Sequence, residues 1–388
     1  MKILLATESY HPNIDGGAIA QHRLVLELIK KGHDVAVIAP GPRFRNIIEK
    51  DNGSTVFRPC SLTLPLYMNN SYQFSPVPIR YINHVFKTFK PDIVDICSPY
   101  PIGASTLILA KKYNTPVIGS IHMLPENMLS PFMSSKYYPY MRKLSWSYLV
   151  YFFNKVDQAT IPTQTGATMY QEQGLTVPIT PISNGVSIDT FNPSNNGKYL
   201  REKFNIPKKP IILYTGRMSS EKNVDVIIKA IPGVIKNLDA HFLFCGSGGG
   251  YKERMKQLAQ SLQIKDYTTF VDFLEWEDYP NIYSLADLFV MPAEAELQSI
   301  VTMEAIASGL PAVVVNKGAV PELVNQDNGL LFEPQNNTDL ANCITKILSN
   351  NSLKKQMSEN SLKLIKKHTM SYVVSQYEQL YDRILNAS

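Results

Sequence analysis

Glu296 and Glu304 lie on either side of a predicted helix start, where they could orient a ligand that carries hydroxyl groups around an anion. The apolar residues 288–292 predict a buried strand, and apolar spacing after Ser299 predicts a helix that ends at Gly309. Backbone N–H groups at a helix start attract anions, and carboxylates accept hydrogen bonds from hydroxyl groups. The pair therefore fits a ligand with a diol on each side of a diphosphate, such as a nucleotide sugar. Two glutamates at this spacing also occur on ordinary solvated helices, so other residues must show whether this pair binds a ligand.

Two basic residues follow another predicted strand. In the segment 214–223, Gly216 permits a sharp turn, and Arg217 and Lys222 lie in the loop before the next predicted helix. An arginine fork and a lysine point charge at such a place could clamp a diphosphate. The alternative is a surface ion pair with Glu221.

Two further glycine-bearing turns stand at the ends of predicted strands. They are GSGGG at 246–250, which begins with Gly246, and Asp15-Gly16-Gly17. Both permit close approach of a ligand to the backbone, although an ordinary flexible turn has the same composition. The turn at Asp15 does not match the dinucleotide pattern GxGxxG, which argues against a nicotinamide enzyme.

Strands and helices alternate along both halves of the chain, which predicts an α/β protein with parallel sheets covered on both faces. The first half opens with a strand at 2–6, a helix at 18–31 and a strand at 34–39, and the second half repeats this plan from residue 211. At 388 residues the chain is long enough for two domains, with the polar stretch 189–196 as the predicted linker. Ligands of open α/β folds bind at the carboxyl ends of the strands, so two such domains predict a cleft between those ends.

Charge and hydropathy narrow the class of protein. The net charge of +5 lies in the first half, because residues 1–190 carry 17 Lys and Arg against 12 Asp and Glu, whereas residues 191–388 carry 21 of each. No nucleic-acid motif accompanies this basic half, so an anionic membrane surface is favoured over nucleic acid. No apolar stretch reaches the roughly 18 residues that span a bilayer, and the first residues turn polar too early for a signal peptide, which predicts a cytoplasmic protein. The four cysteines lack metal-ligand spacing and are expected to be reduced structural thiols.

The order of these motifs resembles that of the family-four retaining glycosyltransferases, which have the GT-B fold of two Rossmann-like domains whose parallel sheets face each other across a cleft. The resemblance covers nearly the whole chain. It rests on DGG at 15–17, His122 in SIHMLPEN, SNGVSIDTFNP at 183–193, GRMSSEKN at 216–223, GSG at 246–248 and ELQSIVTMEAIASGLPAVV from 296. It implies an acceptor-binding domain at 1–190, a nucleotide-sugar-binding domain at 191–370, and a last helix at 371–388 that crosses back to the first domain.

The resemblance also implies a role for each motif residue. Gly16 and Gly17 approach the donor phosphates, and His122 lies beside the donor sugar. The alternative for His122 is a buried core histidine whose hydrogen bonds are satisfied. Arg217 and Lys222 neutralise the diphosphate, Glu296 holds sugar hydroxyls, and Glu304 binds the ribose diol. The other implied donor-binding residues are Gly216, Gly246 and, through their backbone amides, Gln298, Ser299, Ile300 and Val301. The resemblance also implies that no metal or cofactor is needed, because in this family the leaving diphosphate takes the acceptor's proton while the protein stabilises its charge.

Two departures from the family pattern bear on substrates. Leu297-Gln298-Ser299 stand where many relatives have a glycine-aromatic-glycine run, and Gln298 resembles a variant associated with lipid-directed members such as diacylglycerol glucosyltransferases. Leu274 stands where glycine is frequent in the loop that frames the base, so the choice of base stays open. UDP-glucose or a similar donor is the expectation.

Two segments of the first half suit a membrane surface. Segment 136–155 is rich in aromatic residues and contains no acid, and segment 80–90 combines basic with apolar side chains. Aromatic rings and basic side chains settle favourably in the headgroup region of an anionic membrane. The two segments therefore predict a lipid acceptor and peripheral attachment of the protein at the inner face of the plasma membrane. A buried helix of a large domain has a similar composition, which is the alternative. The apolar residues of 80–90 are Ile82, Val85, Phe86 and Phe89, and its basic ones Arg80, Lys87 and Lys90.

Three other functions fit the same motifs. They are transfer to a soluble sugar or polysaccharide, epimerisation of a sugar nucleotide by an enzyme of the same architecture, and catalytically silent binding of a nucleotide sugar. The complete charged set Arg217, Lys222, Glu296 and Glu304 argues against silence, because a degenerate descendant usually loses part of its charged site.

Overall fold

The computed structural model describes residues 1–13, 15–63, 73–129, 132 and 135–387. The chain divides into two compact units, the first made of Met1–Gly185 with Met370–Ser388 and the second of Val186–Thr369. The boundaries predicted from the sequence lie after residues 190 and 370, whereas those in the structure lie after Gly185 and Thr369. Each unit is built on a sheet of predominantly parallel strands, so the predicted fold class is confirmed.

Among the described residues, ten strands belong to the first unit and six to the second. In chain order they are β1 (Lys2–Ala6), β2 (Asp34–Ile38), β3 (Ile47–Asp51), β4 (Ser54–Arg58), β5 (Leu62–Thr63), β6 (Gln73–Phe74), β7 (Ile93–Ile96), β8 (Val117–Ser120), β9 (Gln158–Ile161), β10 (Ile179–Pro181), β11 (Ile211–Thr215), β12 (His241–Cys245), β13 (Thr268–Val271), β14 (Leu288–Met291), β15 (Ala312–Val315) and β16 (Gly329–Phe332).

The α-helices lie between the strands and after the last of them. In chain order they are α1 (Gly16–Lys30), α2 (Ile79–Phe89), α3 (Pro101–Lys112), α4 (Pro125–Met128), α5 (Tyr138–Phe153), α6 (Gln164–Glu172), α7 (Lys198–Lys203), α8 (Val224–Ile235), α9 (Gly249–Ser261), α10 (Tyr279–Tyr283), α11 (Ile300–Ala307), α12 (Asn337–Leu348), α13 (Asn351–Leu364) and α14 (Met370–Ala387). Among the described residues, none of the helices is long and apolar enough to cross a lipid bilayer.

The sheet of the first unit has the strand order β10-β9-β8-β7-β1-β2-β4-β3. All its pairs are parallel except β3 with β4, which form an antiparallel hairpin at the edge. Strands β7 and β8 are buried along their whole length, as expected for strands covered on both faces. The hairpin is not predicted by the sequence analysis, because β3 alternates half-buried and exposed residues and carries three charged side chains.

The last helix, α14, belongs to the first unit. Its residues Val373, Tyr377 and Tyr381 are buried in the same core cluster as Ile3 and Val25 of β1 and α1. Tyr381 donates a hydrogen bond to Asp95 Oδ2 over 3.2 Å. The chain end is therefore fixed to the first unit by apolar packing and by a buried hydrogen bond.

The sheet of the second unit has the order β13-β12-β11-β14-β15-β16, with every pair parallel. Strands β11 and β12 pair from Ile211 with His241 to Thr215 with Cys245, so their carboxyl ends lie level. The chain changes direction in the sheet at β11, because β12 lies on one side of it and β14 on the other. Such a switch point is where ligands of open α/β sheets bind.

Glu8, just after β1, is a buried carboxyl group that the sequence analysis does not identify. Its Oε1 accepts a hydrogen bond from the Ile102 amide at 2.7 Å, at the start of α3, and its Oε2 accepts one from the Ser98 hydroxyl. Burial raises the pKa of Glu8 to about 8, although the backbone hydrogen bonds act in the opposite direction. The folded state therefore holds this proton more tightly than the unfolded state does.

We expect Glu8→Gln to change how stability depends on pH. Because the folded pKa is raised, the contribution of Glu8 is complete below about pH 4.5 and is lost as pH rises toward about 8. The glutamine variant should therefore gain stability relative to the original protein between pH 5 and about 8, and then level off. Thermal melts across this range measure it, with the exposed Glu172→Gln as the control. If the melting temperatures of Glu8→Gln and the original protein changed in parallel with pH, the raised pKa of Glu8 would be contradicted.

Candidate functional site

The turns after β11 and β12 are joined to each other through the backbone. Gly216 N donates to Cys245 O over 3.0 Å, and Met218 N donates to Ser247 O over 2.7 Å. Gly216 and Gly246 have φ angles of +133° and +143°, which side chains disfavour. A Cβ atom on Gly246 would lie 2.1 Å from Gly216 O, so this position has no space for a side chain. The two predicted glycine turns thus form one surface at the carboxyl end of the sheet.

Lys222 and Glu296 form an ion pair at this end of the sheet. Lys222 lies in a short 3-10 helix after β11, and Glu296 follows β14, the neighbouring strand. The distance from Lys222 Nζ to Glu296 Oε1 is 2.5 Å, and the two side chains are 14% and 15% exposed. From the sequence, Lys222 and Glu296 are expected to have separate roles toward a ligand. The structure brings them into direct contact.

Arg217 is more exposed than Lys222. Its Nη2 lies 3.7 Å from Glu221 Oε1, and its side chain is 40% exposed. The alternative considered for both cations, pairing with Glu221, is therefore found for Arg217, whereas Lys222 pairs with Glu296. Because the contact with Glu221 is long and the Arg217 side chain is exposed, the guanidinium group can still bind an anion through its other N–H groups.

Helix α11 begins at Ile300, close to the predicted start at about Ser299, and Ser299 is its N-cap. The Ser299 hydroxyl accepts hydrogen bonds from Thr302 N at 3.3 Å and Thr302 Oγ1 at 2.7 Å. Gln298 and Ser299 are buried, as is Ile300, while Val301 is half-buried. The first N–H groups of an α-helix have no acceptor inside the helix, so the start of α11 suits an anion.

Glu304 is buried in the second turn of α11 and is bound to two tyrosines. Its Oε2 accepts hydrogen bonds from Tyr279 and Tyr283, each over 2.9 Å. Tyr283 OH also lies 2.9 Å from Thr215 Oγ1, at the end of β11. Burial and the charge of Glu304 raise the pKa values of both tyrosines well above their ordinary value, so both remain hydrogen-bond donors. The alternative of an ordinary solvated glutamate is wrong for Glu304.

Gly16, Gly17 and His122 lie together in the first unit. Helix α1 begins at Gly16, two residues earlier than predicted, because the Asp15 side chain caps it by accepting from Ala18 N over 3.0 Å. A Cβ atom on Gly17 would lie 3.9 Å from His122 Cβ, so these residues share one surface. The glycines leave the start of α1 open to close approach.

His122 is a neutral side chain at physiological pH. Burial lowers its pKa to about 4, while its neighbours Asn184 and Asp15 act in the opposite direction. Its Nδ1 atom is buried and has no hydrogen-bond partner among the described residues. A neutral imidazole can exchange hydrogen bonds with a hydroxyl group but adds no positive charge.

Two family models match this chain. The model described as Glycosyltransferase Family 4 matches residues 14–190, and the model described as Glycosyl transferases group 1 matches residues 198–364. The chain belongs to the family 4 and group 1 glycosyltransferases. The two matches meet near the boundary between the units, and together they contain all the residues of the candidate site.

The glycosyltransferase is similar to curated proteins at moderate identity. It is 26% identical to a sulfoquinovosyl transferase of Arabidopsis thaliana over 82% of this chain, which spans only 60% of that relative's length. It is 24% identical to an alpha-monoglucosyldiacylglycerol synthase of Streptococcus pneumoniae over 90% of this chain and 78% of the relative.

Solved structures show the same fold. A sucrose-phosphate synthase from Thermosynechococcus elongatus has a TM-score of 0.84 at 20% identity, with both chains covered completely. An Anabaena protein solved with UDP and glucose has a TM-score of 0.79 at 17% identity, over 98% of this chain and 99% of that one.

Sequence reasoning did not identify the tyrosines that hold Glu304 in this glycosyltransferase. Tyr279 and Tyr283 stand four residues apart and therefore on one face of α10. This spacing is a signal that could have indicated them, although only the fold places that face against Glu304. The one group of three or more metal-ligating side chains among the described residues lies in the first unit, at His11, His22 and Asp51.

Proposed function

We propose that this glycosyltransferase moves a hexose from UDP-glucose or a similar nucleotide sugar to a hydroxyl group of a membrane lipid, with retention of configuration at the anomeric carbon. The observation that carries the donor part is the contact between Lys222 and Glu296 at the carboxyl ends of β11 and β14. A cation and a carboxylate side by side match the junction of a diphosphate with a sugar, since one attracts phosphate oxygens and the other accepts from hydroxyls.

The remaining donor contacts follow from the positions of the site residues. Arg217, Lys222 and the first amides of α11 would surround the diphosphate, and Gly216 and Gly246 would let it approach the backbone. Glu304, already held by two tyrosines, would accept from the ribose hydroxyls. For Gly16, Gly17 and His122, which lie together in the first unit, we keep the donor-binding roles that the family resemblance implies.

The proposed transfer needs no protein base. The acceptor oxygen forms a bond to the anomeric carbon on the face from which the diphosphate departs, and the bond from that carbon to the diphosphate oxygen breaks. The acceptor's proton passes to a diphosphate oxygen. Arg217 and Lys222 stabilise the charge that grows on the leaving group, which is the task a metal ion performs in other enzymes. We therefore propose that the transfer requires no metal or cofactor.

Helix α5 supports the lipid part of the proposal. Its buried face carries Trp146, Leu149, Val150, Phe152 and Phe153. Its opposite face, the aromatic face, exposes Tyr140 (71%), Leu144 (59%), Tyr148 (42%) and Tyr151 (63%), which recur at helical spacing.

The charges around the aromatic face are basic. Lys136 lies over the ring of Tyr137, and Lys155 lies 4.2 Å from the ring centre of Tyr151. Lys143 is exposed on the same helix, and α5 contains no acidic residue. An anionic phospholipid surface fits this combination, because aromatic rings enter the headgroup region while lysines meet phosphates. A diacylglycerol-directed relative is consistent with it.

The second segment expected at a membrane does not expose its apolar residues. In α2, Ile82, Val85 and Phe86 are buried in the core, and α2 packs against α3. The expectation that the apolar residues of 80–90 enter a membrane is therefore wrong for these three, and the alternative of a buried helix holds. Arg80, Lys87 and Lys90 are exposed and could only add positive charge.

We expect the double variant Tyr140→Ser, Leu144→Ser to weaken binding to anionic vesicles. Each exposed apolar side chain that enters the membrane contributes about 1.5–3 kcal/mol when fully buried, so the loss of two should lower partitioning at least about tenfold. Flotation with phosphatidylglycerol vesicles measures this. The matched control is Ile108→Ser, which removes an apolar side chain of 58% exposure from α3. Equal flotation with neutral phosphatidylcholine vesicles, or no effect of the double variant, would contradict the membrane assignment.

One assay separates the possible functions. The protein is incubated with radiolabelled UDP-glucose, UDP-galactose and GDP-mannose, with and without a membrane lipid extract, and with and without EDTA. Label in the organic phase that depends on the extract supports the proposal, and the anomeric coupling constant of the product tests retention. Label only in water-soluble saccharide, a new sugar nucleotide formed without acceptor, or no turnover would instead point to the soluble transferase, the epimerase or the silent binder.

A further inference from the structure

Three side chains that the proposed transfer does not use converge in the first unit. His11 follows β1, His22 lies on α1, and Asp51 is the last residue of β3. One ligand atom from each lies within 4.8 Å of the other two. His22 Nε2 is 3.2 Å and His11 Nδ1 is 3.9 Å from Asp51 Oδ2. The two imidazole rings stack with their centres 4.7 Å apart and an angle of 15° between them.

The polar atoms at the centre of this cluster lack ordinary partners. His22 Nε2 and Asp51 Oδ2 are both buried and interact with each other over 3.2 Å, but neither has any further hydrogen-bond partner among the described residues. Buried polar atoms are nearly always satisfied, so two that face each other call for an explanation. A third group placed between them would supply it.

We propose that His11, His22 and Asp51 bind a divalent transition-metal cation of the zinc class. Two imidazole nitrogens and one carboxylate oxygen form a donor set that zinc accepts, with a fourth position left for water. Donor atoms around a tetrahedral zinc with bonds of about 2.0–2.2 Å lie roughly 3.4 Å apart. The two separations from Asp51 Oδ2, 3.2 and 3.9 Å, are close to this value. The remaining adjustment falls on His11, whose side chain is 53% exposed and lies outside the regular elements.

The surrounding charges permit a cation. Neutral imidazole is the form of histidine that coordinates metals. Arg58 lies nearby and donates to His11 O over 2.7 Å, but its Nε is paired with Glu49 Oε1 at 2.5 Å. Asp51 is therefore the charge that directly faces the cation.

The cation would connect three elements around the glycine turn. His11 precedes Asp15-Gly16-Gly17 and His22 follows it on α1, while Asp51 anchors both to the edge hairpin. A metal bound by residues on both sides of the turn would hold the turn in place. This role is structural and separate from the transfer chemistry, which we propose to be independent of metal.

Zinc chloride alone is the probe. The full chain, stripped with EDTA and dialysed, is titrated with zinc chloride in competition with a chromophoric chelator. We expect one zinc per chain, and a loss of affinity of at least about tenfold in His11→Ala, His22→Gln and Asp51→Asn, since even outer-shell changes weaken metal sites by this amount. The control His84→Ala removes an exposed histidine of α2 and should bind zinc as the original protein does.

Two further measurements keep the test decisive. Thermal melts in EDTA establish that each variant is folded, and the exposed His11→Ala variant carries the test if a buried substitution is not tolerated. In the original protein, zinc should slow hydrogen exchange in the peptides that contain Asp15 and Gly17, and in His22→Gln it should not. Absence of saturable binding, or equal affinity in the original protein and all three ligand variants, would overturn the proposal.

Discussion

Replacing Lys222 with alanine should lower kcat by at least roughly 10- to 150-fold, because the loss of one charged hydrogen bond costs about 1.5–3 kcal/mol. The effect is larger if the bond forms only in the transition state, when charge accumulates on the leaving diphosphate. The structure adds a second reason. Lys222 lies 2.5 Å from Glu296 and both are mostly shielded from solvent, so the variant leaves a carboxylate without its cation beside the phosphates. Repulsion of the donor then acts in the same direction.

Steady-state kinetics with the labelled donor measure this effect. Lys229→Ala is the matched control, since Lys229 pairs with Asp225 on the exposed side of α8. Arg217→Ala should also lower kcat, but less than Lys222→Ala, because Arg217 is more exposed and its contact with Glu221 is longer, at 3.7 Å. Turnover within about twofold of the original enzyme in both variants would refute the proposed clamp, because about 0.4 kcal/mol is too small for a charged hydrogen bond.

Replacing Glu304 with glutamine should weaken nucleotide binding by roughly 10- to 150-fold, with a smaller effect on kcat, since a charged hydrogen bond to the ribose contributes about 1.5–3 kcal/mol. The glutamine keeps the volume and an oxygen that can accept from Tyr279 and Tyr283. Glu304→Ala would instead leave both buried tyrosine hydroxyls without this acceptor, so its effect on binding would be mixed with lost stability.

Calorimetry with UDP and GDP measures the affinity and also tests which base is preferred. Glu359→Gln, an exposed change on α13, is the control. Tyr283→Phe distinguishes the positioning of Glu304 by the tyrosines from the contact of Glu304 with the ribose. This variant removes one hydrogen bond to Glu304 while leaving the carboxylate in place. Unchanged affinity in a folded Glu304→Gln variant would remove its proposed ribose role.

The features of the second unit that follow local rules were predictable from the sequence. The start of α11 at a serine N-cap and its end before Gly309 come from spacing and capping chemistry over a few residues. The glycines at 216 and 246 could be identified as turn residues, but their close contact could not. That contact depends on the register of β11 with β12, which brings together residues 30 positions apart.

Features that depend on distant pairing were not predictable. Burial of Glu304 results from the packing of α10 against α11, and the ion pair of Lys222 with Glu296 results from the neighbouring positions of β11 and β14. Dependence on distant packing also explains why the prediction that the apolar residues of 80–90 enter a membrane was wrong. Apolar residues on a helix predict a buried face and a membrane face equally well, and only the contact of α2 with α3 decides between them.

The backbone hydrogen bonds between the turns after β11 and β12 restrict how this part of the chain can change its length. Two hydrogen bonds join the turns, from Gly216 N to Cys245 O and from Met218 N to Ser247 O. One added residue in either turn would break the second hydrogen bond or displace Arg217, which lies between the two donors. A Cβ atom at Gly248 would lie 2.6 Å from Met218 O, so the turns are packed too closely for a local shift to accommodate an added residue. Homologous chains should therefore keep both turns at constant length and concentrate their insertions and deletions in other loops.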